Sequence, residues 1–125
     1  MNVGETLKPL TVTIDLARMV AYAAASWDWF PTHYDVVAAA AAQLPRPVVD
    51  GQMFGALLAR HALLGARDAR VLRLSFRLQA MVFAGETVTV EGAIQTITGN
   101  RVVLQQRITC RDRVVVTGAI TELQL

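Results

Sequence analysis

Little of this chain of 125 residues is charged: aspartate, glutamate, lysine and arginine together make up 18%. Its one cysteine, Cys110, has no disulfide partner within the chain, and no clustered set of ligand types marks a zinc site. Cys110 therefore reads as a small apolar strand residue. No apolar run approaches the roughly 18 residues that a spanning helix needs, so no membrane is expected as partner. Residues Met1 to Thr6 lack a basic stretch followed by an apolar core, so no secretory leader is expected and a cytoplasmic place fits best. Aromatic residues amount to 6% and do not interleave with a basic cluster, which argues against nucleic acid.

What is abundant is apolar. Hydrophobic residues make up 54%, and mean hydropathy is +0.39. That balance excludes disorder and is high enough to suggest further apolar surface covered by a partner chain. The length fits one domain spanning 1–125, with a core that needs neither disulfide nor structural metal. Net charge is only +2, because ten acids offset twelve basic residues, nearly all of them arginine. Arg60, Arg67, Arg70, Arg73 and Arg77 nevertheless crowd together, with Asp68 the only acid among them. Two readings stay open: a solvated helix end and strand face, or a landing site for an anionic carrier such as coenzyme A phosphates or an acidic carrier protein.

The two halves of the chain differ in period. Asp15 can cap a helix running to about Ala25, with Leu16, Met19, Val20 and Ala23 on one stripe. A short helix follows over Val36–Gln43 and ends before Pro45 and Pro47. Asp50-Gly51 then opens a third helix, Gln52 to Leu64, in which Met53, Ala56, Leu57 and Leu64 fall at helical spacing among small residues, so it should be buried. From Leu72 to Val82 every even position is apolar, the pattern of a half-buried strand. Strands are further predicted over Thr87–Thr98, Val102–Cys110 and Val114–Leu125, joined by turns at Gly99-Asn100 and Asp112-Arg113. Helices followed by long strands make an α+β pattern, and a twisted sheet buries an apolar helix by wrapping around it. That is the hotdog fold.

Chemistry concentrates in Ser26-Trp27-Asp28-Trp29-Phe30-Pro31-Thr32-His33-Tyr34-Asp35. A turn fixed by Pro31 can aim Asp28 and His33 at one spot, as a general acid/base pair requires. The flanking aromatics would exclude water and push the carboxyl group upward in pKa. Equally, an aspartate before a turn is commonly a backbone cap, and a lone histidine among aromatics is commonly a packed residue. On the residues alone both readings remain open. Asp35 reads as the cap of the short helix and His61 as structural.

The segment resembles the signature of the MaoC-like, (R)-specific enoyl-CoA hydratases, roughly D-x-N-P-x-H-x-D ahead of a small-residue helix. Here it stands as Asp28-Trp29-Phe30-Pro31-Thr32-His33-Tyr34-Asp35. Val49-Asp50-Gly51-Gln52-Met53 is similar to the family's entry to its central helix. Leu74-Ser75-Phe76-Arg77 and Phe83-Ala84-Gly85-Glu86-Thr87-Val88 resemble its following strand and turn. The likeness covers nearly the whole chain in order. Two positions depart from it: Phe30 stands for the family's Asn, and Asp50 for its His. These departures point away from a simple short-chain fatty-acyl substrate.

The resemblance implies an enzyme that adds or removes water across the 2,3 double bond of an acyl thioester, with no cofactor and no metal. Asp28 would activate water, His33 would protonate C2, and the Gly51 N–H would polarise the thioester carbonyl. Ser26, Phe30, Tyr34, Asp50, Gln52 and Arg77 would line the substrate, and Asp50 would also cap the central helix. Coenzyme A or an acyl carrier protein would carry the acyl group. Open sheet edges and a half-walled acyl tunnel call for at least a dimer, as a homodimer or with a second hotdog chain. The rival readings are a non-catalytic hotdog subunit that completes a partner's site, and a hotdog thioesterase.

Overall fold

The computed structural model describes residues 1–125. Five strands form one antiparallel sheet: β1 (Leu10–Thr13), β2 (Arg70–Ser75), β3 (Thr87–Thr98), β4 (Arg101–Cys110) and β5 (Arg113–Gln124). Their spatial order is β1-β3-β4-β5-β2, so β1 and β2 are the edges. Three helices precede β2 or lie between it and β1: α1 (Leu16–Ser26), α2 (Val36–Ala41) and α3 (Gly51–Gly65), with a 3-10 turn at Pro31–His33. The sheet curls around α3, giving the hotdog fold that the periodicities imply. No helix is long and apolar enough to cross a membrane.

Local chemistry explains the curl. Gly99, at φ 59°, and Asn100 close the tight β3–β4 hairpin, in which Thr98 pairs with Arg101. Register shifts between Ile94 and Thr96, and between Gln106 and Thr109, bend the long strands as bulges do. Onto the concave face α3 presents Met53, Phe54, Leu57 and Leu58, packed with Val88, Val90, Ile108, Val115 and Val116. Gly55 permits the close approach: a Cβ there would stand 2.8 Å from the Phe76 ring. Cys110 is buried, as its strand position predicts.

Three expectations need correction, and one strand was not foreseen. The strand over Leu72–Val82 stops at Ser75, and a bulge between Val71 and Arg73 reverses the alternation, leaving Leu72 exposed. Beyond Ser75 the segment touches β5 through Leu78, opposite Val116, and through Gln79 N–H on the Val115 carbonyl. The helical stripe of α3 is Met53, Phe54, Leu57, Leu58, His61 and Ala62, whereas Ala56 and Leu64 face outward. The last turn lies one residue earlier, on Arg111 (φ 53°) and Asp112, because Cys110 pairs with Arg113. Finally, β1 is too short for its four residues to show a period.

A buried polar network ties α3 to the sheet. The Gln106 amide donates to the Leu58 carbonyl at 3.0 Å and to His61 Nδ1 at 2.8 Å, and the Thr121 hydroxyl donates to Gln106 Oε1 at 2.6 Å. His61 Nε2–H donates to the Lys8 carbonyl at 3.1 Å, so the ring is neutral with its proton on Nε2. Burial holds this imidazole below its ordinary pKa. A group kept neutral in the fold contributes its full stability above the unfolded value of about 6.5 and loses it as pH falls below that value. Melting temperature is therefore expected to drop between about pH 6.5 and pH 5 in wild type and to flatten in His61→Gln. Gln106→Ala, which strands His61 Nδ1 and the Thr121 hydroxyl, should cost about 3 kcal/mol by denaturant titration.

Candidate active site

The end of α1 sets the first acid in place. Trp27 takes the left-handed conformation (φ 56°), its N–H and that of Asp28 both closing on the Ala23 carbonyl. Asp28 thus sits just past the helix end, with Oδ1 accepting from Phe30 N–H at 3.3 Å. Pro31 then starts the 3-10 turn, which delivers His33. His33 Nδ1–H donates to the Val48 carbonyl at 2.7 Å, and Val48 N–H donates to the Thr32 carbonyl at 3.0 Å. This two-way clamp joins the turn to the segment that leads into α3. It also leaves Nε2 as the nitrogen free for proton transfer, an acceptor when neutral and a donor only as imidazolium.

Asp50 completes the cluster. Its Oδ1 caps α3 by accepting from Gln52 N–H at 2.9 Å. Its Oδ2 is buried and has no hydrogen-bond partner. Donor atoms of Asp28, His33 and Asp50 all lie within 4.8 Å of one another. Burial pushes the Asp50 carboxyl up from its usual range, and the neighbouring Asp28 carboxyl adds to the rise; the Gln52 N–H and the nearby His33 oppose it. The three side chains would also suit a cation, a cluster the linear spacing does not reveal.

Tyr22 was not singled out in the sequence, yet its phenol is raised in pKa, first by burial and then by Asp50 and Asp28. The available signal was its place on α1, one turn from Met19 and Ser26. Met19, Tyr22, Ala23 and Met53 wall the cluster, and the space between them measures about 10 Å³, close to the room one water needs. The flanking aromatics do not perform the role expected of them. Trp27 is 79% and Phe30 60% exposed, because the left-handed turn and Pro31 send them outward. The desolvated acid is Asp50, walled by methionines and Tyr22.

The other candidate residues are spread out. Gly51 opens α3 with an N–H that has no acceptor in the chain, and its Cα faces Leu78. Ser26 Oγ donates to the Tyr22 carbonyl and is spent inside α1. Tyr34 donates to the Trp29 carbonyl at 3.2 Å and packs edge-on against that indole. The side chains of Gln52 and Arg77 are exposed, away from the cluster's walls. Asp35 caps α2 through Val37 and Ala38 N–H groups. A larger groove of about 500 Å³ lies elsewhere, between Thr6–Pro9 and strands β3 to β5, where Arg107 and Glu91 form an ion pair; none of the three clustered side chains reaches it.

Comparison with known proteins matches residues 1–118 to the model of the MaoC-like domain. The (R)-hydratase from A. caviae involved in PHA biosynthesis superimposes with a TM-score of 0.89 at 27% identity, covering 100% of this chain and 97% of that one. The unliganded R-hydratase PhaJ1 from Pseudomonas aeruginosa gives 0.92 at 24% identity, over 99% and 81% of the two chains. A chain of the ChsH1-ChsH2 complex from Mycobacterium tuberculosis gives 0.92 at 24% identity, over 99% and 98%. Among curated protein sequences no relative was found.

Asp50→Asn tests the desolvated acid. The amide oxygen can still cap α3, while the ionisable group is gone. A carboxyl whose folded pKa is raised contributes stability that is present below its unfolded pKa and lost as pH rises through the folded one. The variant is therefore expected to melt at or above wild type at neutral pH, and the gap should close in acid. Thermal melts of both proteins across the carboxylate range check this.

Proposed function

The chain belongs to the MaoC-like domain family, and on that footing we propose that it hydrates enoyl thioesters, or dehydrates the corresponding 3-hydroxyacyl thioesters. The observation that carries the reading is the convergence of Asp28, His33 and Asp50 at the open N-terminus of α3. Unpaired N–H groups at a helix start favour developing negative charge, so the Gly51 N–H would receive the thioester oxygen as it becomes enolate-like. Asp28 would take a proton from water as its oxygen attacks C3. His33, as imidazolium, would give the Nε2 proton to C2. The proton gained by Asp28 must then return to His33, and the Asp50 carboxyl, clustered with both, would serve as a relay. Dehydration runs the same steps backward.

The substrate side is less enclosed. The space at the cluster, about 10 Å³, is close to the room for one water and too small for an acyl chain, so in this reading the acyl group runs between this chain and another surface. We therefore place a second hotdog chain beside it, with the exposed Phe30, Gln52 and Arg77 available to the acyl group or its carrier. Tyr34 would act through the turn it braces, and Ser26 through the last turn of α1. Coenzyme A and an acyl carrier protein both present the thioester this chemistry needs, and a cytoplasmic location accords with either.

The test pairs rate with folding. Loss of ultraviolet absorbance of crotonyl-CoA and longer enoyl-CoA substrates should show turnover by wild type. Asp28→Asn and His33→Ala should each lose on the order of 10²-fold or more in rate while their melting temperatures stay within a few degrees. Folded variants that retain their rate, or a wild type that turns over no enoyl thioester, would exclude the assignment.

A further inference from the structure

The wall of the cluster carries one polar group that neither the fold nor the acid/base steps employ. Met19, Ala23 and Met53 line the space with apolar atoms, and Asp28, His33 and Asp50 bring their ionisable groups; Tyr22 supplies the only hydroxyl. Met19, Tyr22 and Ala23 fall three and four residues apart on α1, so one face of that helix meets Asp50 and Met53 at the start of α3. The Tyr22 ring packs against the main core, a task that phenylalanine would perform equally well. The hydroxyl is surplus to it. Tyr22 enters hydrogen bonds only through its backbone, whereas the Tyr34 hydroxyl is spent on the Trp29 carbonyl. A half-buried hydroxyl without a partner is costly, so this one calls for water or ligand.

The space beside it, about 10 Å³, is close to the room one water needs. A bound water also needs about two to four polar partners. Asp28 offers one: its Oδ1 accepts from Phe30 N–H at 3.3 Å, which leaves Oδ2 to accept from water. Asp50 is committed elsewhere, with Oδ1 on the Gln52 N–H and Oδ2 buried. His33 holds its Nδ1–H on the Val48 carbonyl and keeps Nε2 for C2. Tyr22 is left as the neutral donor. Burial first, then the charges of Asp50 and Asp28, raises its pKa, so the phenol keeps its proton throughout the neutral range.

We propose that the Tyr22 hydroxyl donates a hydrogen bond to the oxygen of the attacking water and, with Asp28, fixes its orientation toward C3. This deepens the hydratase reading and rests on it. The water points one proton at Asp28 and takes the Tyr22 hydrogen bond on one lone pair. Its other lone pair is the one free to form the C3–O bond. As that bond forms, the π pair moves to C2, where the His33 proton is taken up, and the proton of water passes to Asp28. The Tyr22 proton stays on the phenol. In dehydration the same O–H donates to the departing C3 oxygen and stabilises the charge it gains.

A crystal structure of the full chain should show a water within about 3.2 Å of both Tyr22 Oη and Asp28 Oδ2. In Tyr22→Phe that water should be absent or displaced. Hydration of crotonyl-CoA by Tyr22→Phe should fall at least about tenfold in kcat, with KM within about twofold and melting temperature within a few degrees of wild type. Should that variant fail to fold, Tyr22→Met supplies the same readings. A wild-type structure without a water on Tyr22 Oη, a folded variant with unchanged kcat, or a loss confined to KM or to melting temperature would overturn the proposal. A wild type that turns over no enoyl thioester would remove the hydratase reading, and the crystal structures would still decide by themselves whether Tyr22 and Asp28 hold a water.

Discussion

Much of the molecule depends on how the first turn of α3 is satisfied. Asp50 gives one carboxyl oxygen to the Gln52 N–H, which starts the helix, and is left with a second oxygen buried and unmatched. An unmatched buried acceptor is costly unless it is protonated or shares a proton with a neighbour. The surroundings supply that neighbour: α1 ends in a left-handed turn that brings up Asp28, and the clamp between His33 and Val48 brings up the imidazole. The same residue therefore serves two levels, local helix initiation and the proton inventory of the cluster. The buried His61–Gln106–Thr121 network holds the middle of α3 against the sheet, so the helix start stays fixed relative to the turn.

The cluster gathers three ionisable side chains but few walls. All three clustered groups and the Gly51 N–H come from one chain, whereas the space beside them admits little more than a water. Exposed Trp27, Phe30, Val36 and Val37 form an apolar flank to the same region. The high hydropathy of the chain fits this picture, since apolar surface left on one chain is what another covers.

Regular structure was readable where side-chain period and turn chemistry agreed. The β3–β4 hairpin shows both strict alternation and Gly99-Asn100, and Asp15, Asp35 and Asp50 each cap the helix they precede. Alternation alone misled in Leu72–Val82, because a bulge at Val71–Arg73 is a backbone event that leaves the apolar pattern intact. Of the site, the Asp28/His33 pairing was legible through the proline-bent turn. The approach of Asp50 and Tyr22 was not, since it depends on how α1 and α3 meet across the fold. The expected shielding by Trp27 and Phe30 failed for a related reason: composition shows which aromatics are near in sequence, while a single left-handed residue decides which way they point.

The most direct test of the central claim, that this cluster moves water across an acyl double bond, is product analysis in isotopically labelled water. Incubated with a trans-2-enoyl thioester in heavy-oxygen water and deuterium oxide, the protein should leave the thioester intact, place solvent oxygen on C3 and one solvent deuterium on C2, and do so in a single stereochemical sense. Solvent oxygen in a released carboxylate would instead mark thioester hydrolysis, and would contradict the account.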